Sequence, residues 1–341
     1  MSDPRLNLAV SLIPALRTKE RLLLADAVTD YDALIRMSTK DLQALIGRPL
    51  RLSSSALTDL PGKTESVLES IIGSDICMVD YWSSGYPPLL REIYDAPLLL
   101  YVRGALPDTG LPSVSIVGTR KPDSRSVAAA FSLAAELALA SVAVVSGLAR
   151  GIDRAAHEGA SRAGGTTIAV LGSGVDRVYP EHHRELAERI VASGGGLVSE
   201  YPPGTPPLRY HFPERNRIIS GICRSTVVVT APEKSGALIT ADYALEQGRD
   251  LFVHRAGLSS HASGVSDGTI RLEEAGAPVI EHSSDLFELW GWKRPAVPWI
   301  ECRQPEETGD FTQLTREELT EKTLFYNGRW FSTWYAVRKD A

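Results

Sequence analysis

Cysteine is scarce in this chain: Cys77, Cys223 and Cys302 are the three among 341 residues. They lie far apart and no CxxC occurs, which argues against a disulfide framework and against a zinc site. They read as small hydrophobes. Long hydrophobic runs are missing as well. No stretch approaches the roughly 18 consecutive apolar residues of a membrane span. The opening MSDPRLNLAV lacks the basic stretch and apolar core of a signal peptide, so the expected address is the cytoplasm, with no membrane partner. Positive charge is not in excess either, since 36 Lys and Arg face 42 Asp and Glu for a net charge of −6. This excludes a uniformly cationic surface but not a local patch, because phosphate contacts need a few placed cations. Between 113 and 222 the balance turns slightly positive, twelve against ten. What remains is ordinary: 43% hydrophobic and 23% charged residues predict a globular protein of two or three domains.

Residues 1–75 read as a small helical domain. LNLAVSLIPAL and TKERLLLADAV carry apolar residues at three- and four-residue spacing, and KDLQALI ends at Gly47, a C-cap candidate. LTDLPGKTESVLESI (57–71) predicts a loop at Pro61-Gly62 followed by a short helix. It resembles a helix-hairpin-helix or SAM-like element, with one glycine present. Residues 76–112, rich in Pro, Gly and aromatics, read as a connector that packs on the next domain, which extends to 284. From 113 onward short apolar runs (113–118, 142–147, 166–172, 197–200, 225–231, 250–256, 277–280) alternate with helical stretches (124–140, 152–163, 181–193, 213–221, 237–248, 266–275). Continuous apolar strands suit a sheet covered on both faces, and strand–helix alternation means βαβ units. The fold class is therefore α/β, an extended Rossmann-like, doubly wound, mostly parallel sheet. Residues 285–341 read as a linker and a short tail or mini-domain, with a helix and a hairpin through Asn327-Gly328.

In such a sheet ligands bind beyond the carboxyl ends of the strands. The segments that follow them are GTRKPDSRS (118–126), SGLARGID (146–153), GSGVDRVYP (172–180) and PEKSGALIT (232–240). Glycines let backbone N–H groups approach an anion, the next helix turns its positive end to it, and arginine offers a planar fork for phosphate oxygens. A dinucleotide fingerprint GxGxxG is absent after the first strand, as is GxxxxGK[ST], so no NAD, ATP or other cofactor is expected. The segment LRYHFPERNRIISGI (208–222) interleaves Arg209, Arg215 and Arg217 with Tyr210 and Phe212. Cations for a backbone beside aromatic faces for bases are what single-strand recognition needs.

Catalytic signals are thin. Asp153 and His157 lie four apart, as do Glu181 and Glu185; capping and ion pairing explain both spacings. His182-His183 reads as surface. His211 and His254 are isolated candidates without metal-ligand spacing, and no nucleophile elbow occurs. No catalytic or metal-binding residue is assigned.

At these residues the chain resembles the DprA/Smf family, the DNA-processing proteins of natural transformation. The likeness covers about 77–282. YPPLLREIYDAPLLLYVRG, VGTRKP, VVSGLARGIDRAAHEGA, TIAVLGSGVDRVYPEHHREL, SEYPPGTPP, FPERNRIISGI and EKSGALITADYALEQGRDLFV follow in family order. The resemblance implies a non-enzymatic protein that binds single-stranded DNA without sequence preference, protects it, loads the RecA recombinase and forms a homodimer. It implies that the turn Gly118, Thr119, Arg120, Lys121 grips a phosphate and that Gly147 and Arg150 line the pocket floor. Arg209 would stand on the rim, Phe212 would stack on a base, Ser235 and Gly236 would add anion contacts, and Arg215 counts among the DNA-binding residues. Asn216 and Arg217 would shape the pocket. The chain departs from the family at Thr119, at Glu214, around His254-Arg255-Ala256-Gly257, and in GVSDGTIRLEEAGA (264–277). The alternative is a nucleotide-binding enzyme or sensor of the phosphoribohydrolase type, whose PGGxGTxxE signature is absent, SGGGLVSE being a poor substitute. A third reading is an interaction scaffold without DNA.

Overall fold

The computed structural model describes residues 3–107, 111–258, 264–292, 302–303, 323–326 and 329–332. The chain opens with five helices, α1 (Pro4–Leu12), α2 (Thr18–Ala27), α3 (Tyr31–Arg36), α4 (Thr39–Ile46) and α5 (Leu60–Ile71). Local chemistry sets their limits. At α4, Asp41 N–H donates to Ser38 Oγ while Ser38 N–H donates to Asp41 Oδ2, a reciprocal cap, and Gly47 closes the helix at φ 78°. The expected loop at Pro61-Gly62 is instead the first turn of α5, where a proline lacks an N–H that would be unbonded anyway.

The next residues also depart from expectation. The stretch read as a connector contributes β1 (Ile76–Asp80), the short α6 (Pro88–Glu92) and β2 (Leu99–Gly104). Its prolines and aromatics masked two strands that pair antiparallel with each other and then with the main sheet. From there the alternation is as predicted. It runs β3 (Ser113–Val117), α7 (Ser124–Leu139), β4 (Ala143–Ser146), α8 (Ile152–Arg162), β5 (Thr167–Val170), α9 (Arg184–Ala192), β6 (Gly196–Ser199) and α10 (His211–Ile222). It continues with β7 (Ser225–Val228), α11 (Gly236–Glu246), β8 (Asp250–His254), α12 (Asp267–Glu274), β9 (Val279–Ile280) and α13 (Ser283–Leu289).

The nine strands form one sheet in the order β1-β2-β6-β5-β4-β3-β7-β8-β9, parallel from β6 to β9. Side chains alternate between its faces. Val114, Ile116 and Val144 point to one face under α7, α8 and α13; Val117, Val145, Val198 and Val228 point to the other under α6, α10 and α11. Leu8 of α1 is buried with Leu99, Tyr101, Ala169 and Leu197, so the helical part is seated on the β2–β6–β5 end of the sheet. In the tail, β10 (Cys302–Arg303), β11 (Thr323–Tyr326) and β12 (Arg329–Ser332) form a separate sheet in which Tyr326 faces Arg329. The Asn327-Gly328 turn and the expected tail helix lie outside the described residues.

Going outward from β3, the chain adds β4, β5 and β6 on one side and β7, β8 and β9 on the other. The loops after β3 and β7 therefore diverge, leaving a crevice at the carboxyl edge of the sheet.

Candidate functional site

That crevice is a cavity of about 780 Å³, lined from the β3 loop by Gly118, Thr119, Arg120 and Lys121 and from the β7 loop by Pro232, Lys234, Ser235 and Gly236. Arg209, Phe212, Pro213, Arg215 and Asn216 approach from α10 and the residue run before it, Tyr179 from the β5 loop, and Asp153 from α8. The β3 turn is held by backbone bonds, Thr119 N–H donating to Thr230 O at 2.8 Å and Ile152 N–H to Thr119 O at 3.3 Å. Only glycine fits at 118, since a Cβ there would stand 2.9 Å from Thr230 O. Asn216 Nδ2 donates to Gly236 O at 3.0 Å, tying α10 to the start of α11.

The floor is charged but engaged. Arg215 is buried and donates Nη1 to Val170 O at 2.7 Å and Nη2 to Gly147 O at 2.8 Å. Asp153 accepts the Gly147 and Ala149 N–H groups at 3.1 and 3.3 Å. Burial raises the Asp153 pKa, and Arg215 opposes this; burial pushes the Arg215 pKa down to about 10.

Aromatic groups stand above. Phe212 and Tyr179 have ring centroids 5.5 Å apart at 51°, and the Arg120 guanidinium lies 5.9 Å from the Phe212 centroid. His211 stacks on Tyr201 at 3.8 Å and donates Nδ1–H to Gly172 O at 3.0 Å. The Tyr201 hydroxyl donates to Glu214 at 2.9 Å, so Glu214 is partnered on the rim and does not line the cavity.

Most of the residues singled out from sequence come together here. Three do not line the cavity. Gly147 is buried beneath Arg215, and a Cβ on it would stand 2.5 Å from the guanidinium carbon. Arg150 is exposed beside the cavity. Arg217 is buried, with Nη1 and Nη2 on Glu200 at 2.8 and 2.7 Å and Nε on Asp95 at 2.8 Å. Arg215 lines the floor, but both its terminal nitrogens are already bonded to main-chain carbonyls. Sequence reasoning missed Tyr179 and Lys234, although both lie in motifs it quoted. Of the histidines, His211 is a bracket for Gly172, and His254 donates Nε2–H to Glu281 O and accepts the Ala256 N–H. His157 is buried against Thr167 Oγ1 at 2.7 Å and His183 against Leu148 O.

Charge compensation distinguishes this edge. Among the described residues from 113 to 292, Arg154, Arg184, Arg189, Arg217, Arg224, Arg249, Arg255 and Arg271 have carboxylate partners. The exposed cations without an ion pair are Arg120, Lys121, Arg125, Arg150, Arg177, Arg209 and Lys234. All seven belong to segments at or beside the carboxyl edge of the sheet. No group of His, Cys, Asp and Glu among the described residues could hold a metal ion, and no helix among them is long and apolar enough to cross a membrane.

The comparisons agree with this layout. DNA processing protein DprA of Streptococcus pneumoniae is 44% identical over 206 residues, 59% of this chain and 70% of that one. The X-ray structure of DNA processing protein A from that organism superposes with a TM-score of 0.71 at 32% identity, covering 86% of this chain and all of that one. DNA processing protein A from Helicobacter pylori, whose structure is described as showing a unique single-stranded DNA binding mode, gives 0.54 at 27% identity over 64% of this chain and 96% of that one. Residues 77–291, well over half of the sequence, match the family described as DNA recombination-mediator protein A, and the chain belongs to that family.

Proposed function

We propose that the cavity binds single-stranded DNA without sequence preference. One observation carries this reading: the uncompensated cations of the domain gather at one edge, around the Phe212–Tyr179 ring pair. Cations hold phosphates whatever the sequence, and an aromatic ring accepts any unstacked base. The relative from Helicobacter pylori, described by its single-strand binding mode, supports it. Gly118, Thr119, Arg120, Lys121, Arg209, Ser235 and Gly236 are the proposed backbone contacts, and Phe212 the stacking platform. Arg215, Asn216, Arg217 and Gly147 shape the pocket from behind, and Arg150 extends it.

Membership of a recombination-mediator family supports a protein that protects incoming strands in the cytoplasm and passes them to the RecA recombinase, acting as a homodimer. The chemistry supports binding rather than catalysis. Asp153 accepts the Gly147 and Ala149 N–H groups through Oδ2, which casts it as an anchor for the loop after β4.

Fluorescence anisotropy with labelled oligo-dT at two salt concentrations tests the reading, with duplex and mononucleotide as competitors. Binding should fall with salt, with a log–log slope of about −0.7 per phosphate neutralised, and duplex should compete poorly. Displacement by a mononucleotide, followed by its hydrolysis, would replace this reading with the enzyme.

A further inference from the structure

The two sides of the cavity differ in charge. Toward β8 and β9 the cations are neutralised, Arg255 lying 3.1 Å from Glu281 and Arg271 2.9 Å from Glu233. Toward β4 and β5, Arg150 and Arg177 are exposed and have no ion-pair partner among the described residues. The acids close to Arg177 in sequence are engaged. Asp176 accepts the Gly204 N–H through both oxygens, at 2.9 and 3.0 Å, and Glu181 is 3.3 Å from Arg184.

Sheet order turns these residues into a row. Lys234 follows β7, Arg120 follows β3, Arg150 follows β4 and Arg177 follows β5, and those four strands are consecutive neighbours. Three strand spacings of about 4.8 Å make the row about 14 Å long. That matches roughly four stacked nucleotides at about 3.4 Å each. Tyr179 stands two residues beyond Arg177 and against Phe212, so the rings accompany the row on this side.

Resting on the single-strand reading above, we infer a path for the strand. It crosses the carboxyl edge from the β7 loop to the β5 loop and leaves the cavity over Arg150 and Arg177, not over β8 and β9. Lys234 and Arg177 hold phosphates at its opposite ends. A polyanion takes this course because each step meets a cation that no carboxylate has neutralised, whereas the other exit offers pairs that would have to be broken.

The test uses the full chain and oligo-dT from two to twelve nucleotides, titrated by anisotropy at several salt concentrations. Lys234→Gln and Arg177→Gln are compared with Arg255→Gln and Arg271→Gln. On dT12, each of the first two variants should reduce the salt slope by about 0.7, and the second two should leave it at the wild-type value. On dT2, too short to reach both ends at once, each single change should cost less than it does on dT12, because the other end remains available. An unchanged slope in Arg177→Gln, or a reduced one in Arg255→Gln or Arg271→Gln, overturns the path while wild-type binding keeps the single-strand reading standing. Absence of salt-dependent binding by the wild type overturns that reading itself.

Discussion

Arg215 clamps Gly147: its Nη2 donates to the Gly147 carbonyl at 2.8 Å while Nη1 holds Val170 O at 2.7 Å. The helix carrying Phe212 is thereby pinned to the ends of β4 and β5. Arg215→Met should lower stability by about 3–5 kcal/mol in urea denaturation, because two carbonyls lose their donor and Asp153 loses its neighbouring cation. Arg215→Lys should fall between, keeping the charge but not the two-pronged geometry. A melting curve equal to wild type for Arg215→Met would contradict the clamp.

Arg120 and Phe212 should fail in different ways. Arg120→Ala should weaken every oligonucleotide alike and reduce the salt slope by about 0.7. Phe212→Ala should cost about 1–3 kcal/mol of binding with an unchanged slope, and Phe212→Trp should restore it. Tyr179→Ala should also weaken binding at constant slope, since it removes the ring against which Phe212 rests.

Arg217 should behave as a framework residue. Arg217→Gln leaves Glu200 and Asp95 without their cation, so the urea midpoint should drop while the salt slope of the folded fraction stays as in wild type. A change in slope comparable to that of Arg120→Ala would place Arg217 in contact with the strand.

Stability should fall on mild acidification. Burial pushes His157 down to about 3 and His254 down to about 4. The unfolded chain takes up these protons near pH 6.5, before the folded chain does. Stability is therefore lost as pH falls from about 6.5 toward 4, by up to about 1.4 kcal/mol per unit for each histidine. His282 acts with the opposite sign. Its hydrogen bond to Glu136 raises its pKa, so its contribution is full below the unfolded value and fades as pH rises through the folded one. Denaturation at pH 7 and pH 5 checks the balance, and His157→Asn should flatten the acid limb.

Much of this was legible in the sequence because the controlling forces are local. Apolar runs bounded by Gly and Ser gave the seven parallel strands, and the loops that follow them gave Arg120, Ser235 and Gly236. Long-range pairing was not legible. Nothing near Arg217 in the chain announces that Asp95 and Glu200 will meet it. Arg215 did leave a trace, since Ile218, Ile219 and Ile222 at helical spacing put it on the buried face of α10. The strands β1 and β2 escaped notice because an edge pair needs only short runs, and their flanking prolines read as irregular chain.

Those two strands set a limit on how the molecule can be divided. β2 covers β6, pairing Tyr101 with Ser199 through Gly104 with Gly196, and β1 in turn covers β2. A fragment begun at residue 113 would keep every proposed DNA contact yet leave β6 as a raw selvedge, its N–H and C=O groups open to any passing chain. Such a piece should clump at concentrations where the intact protein stays dispersed. The stretch before residue 113 is thus a hem that keeps the sheet from being sewn to its neighbours.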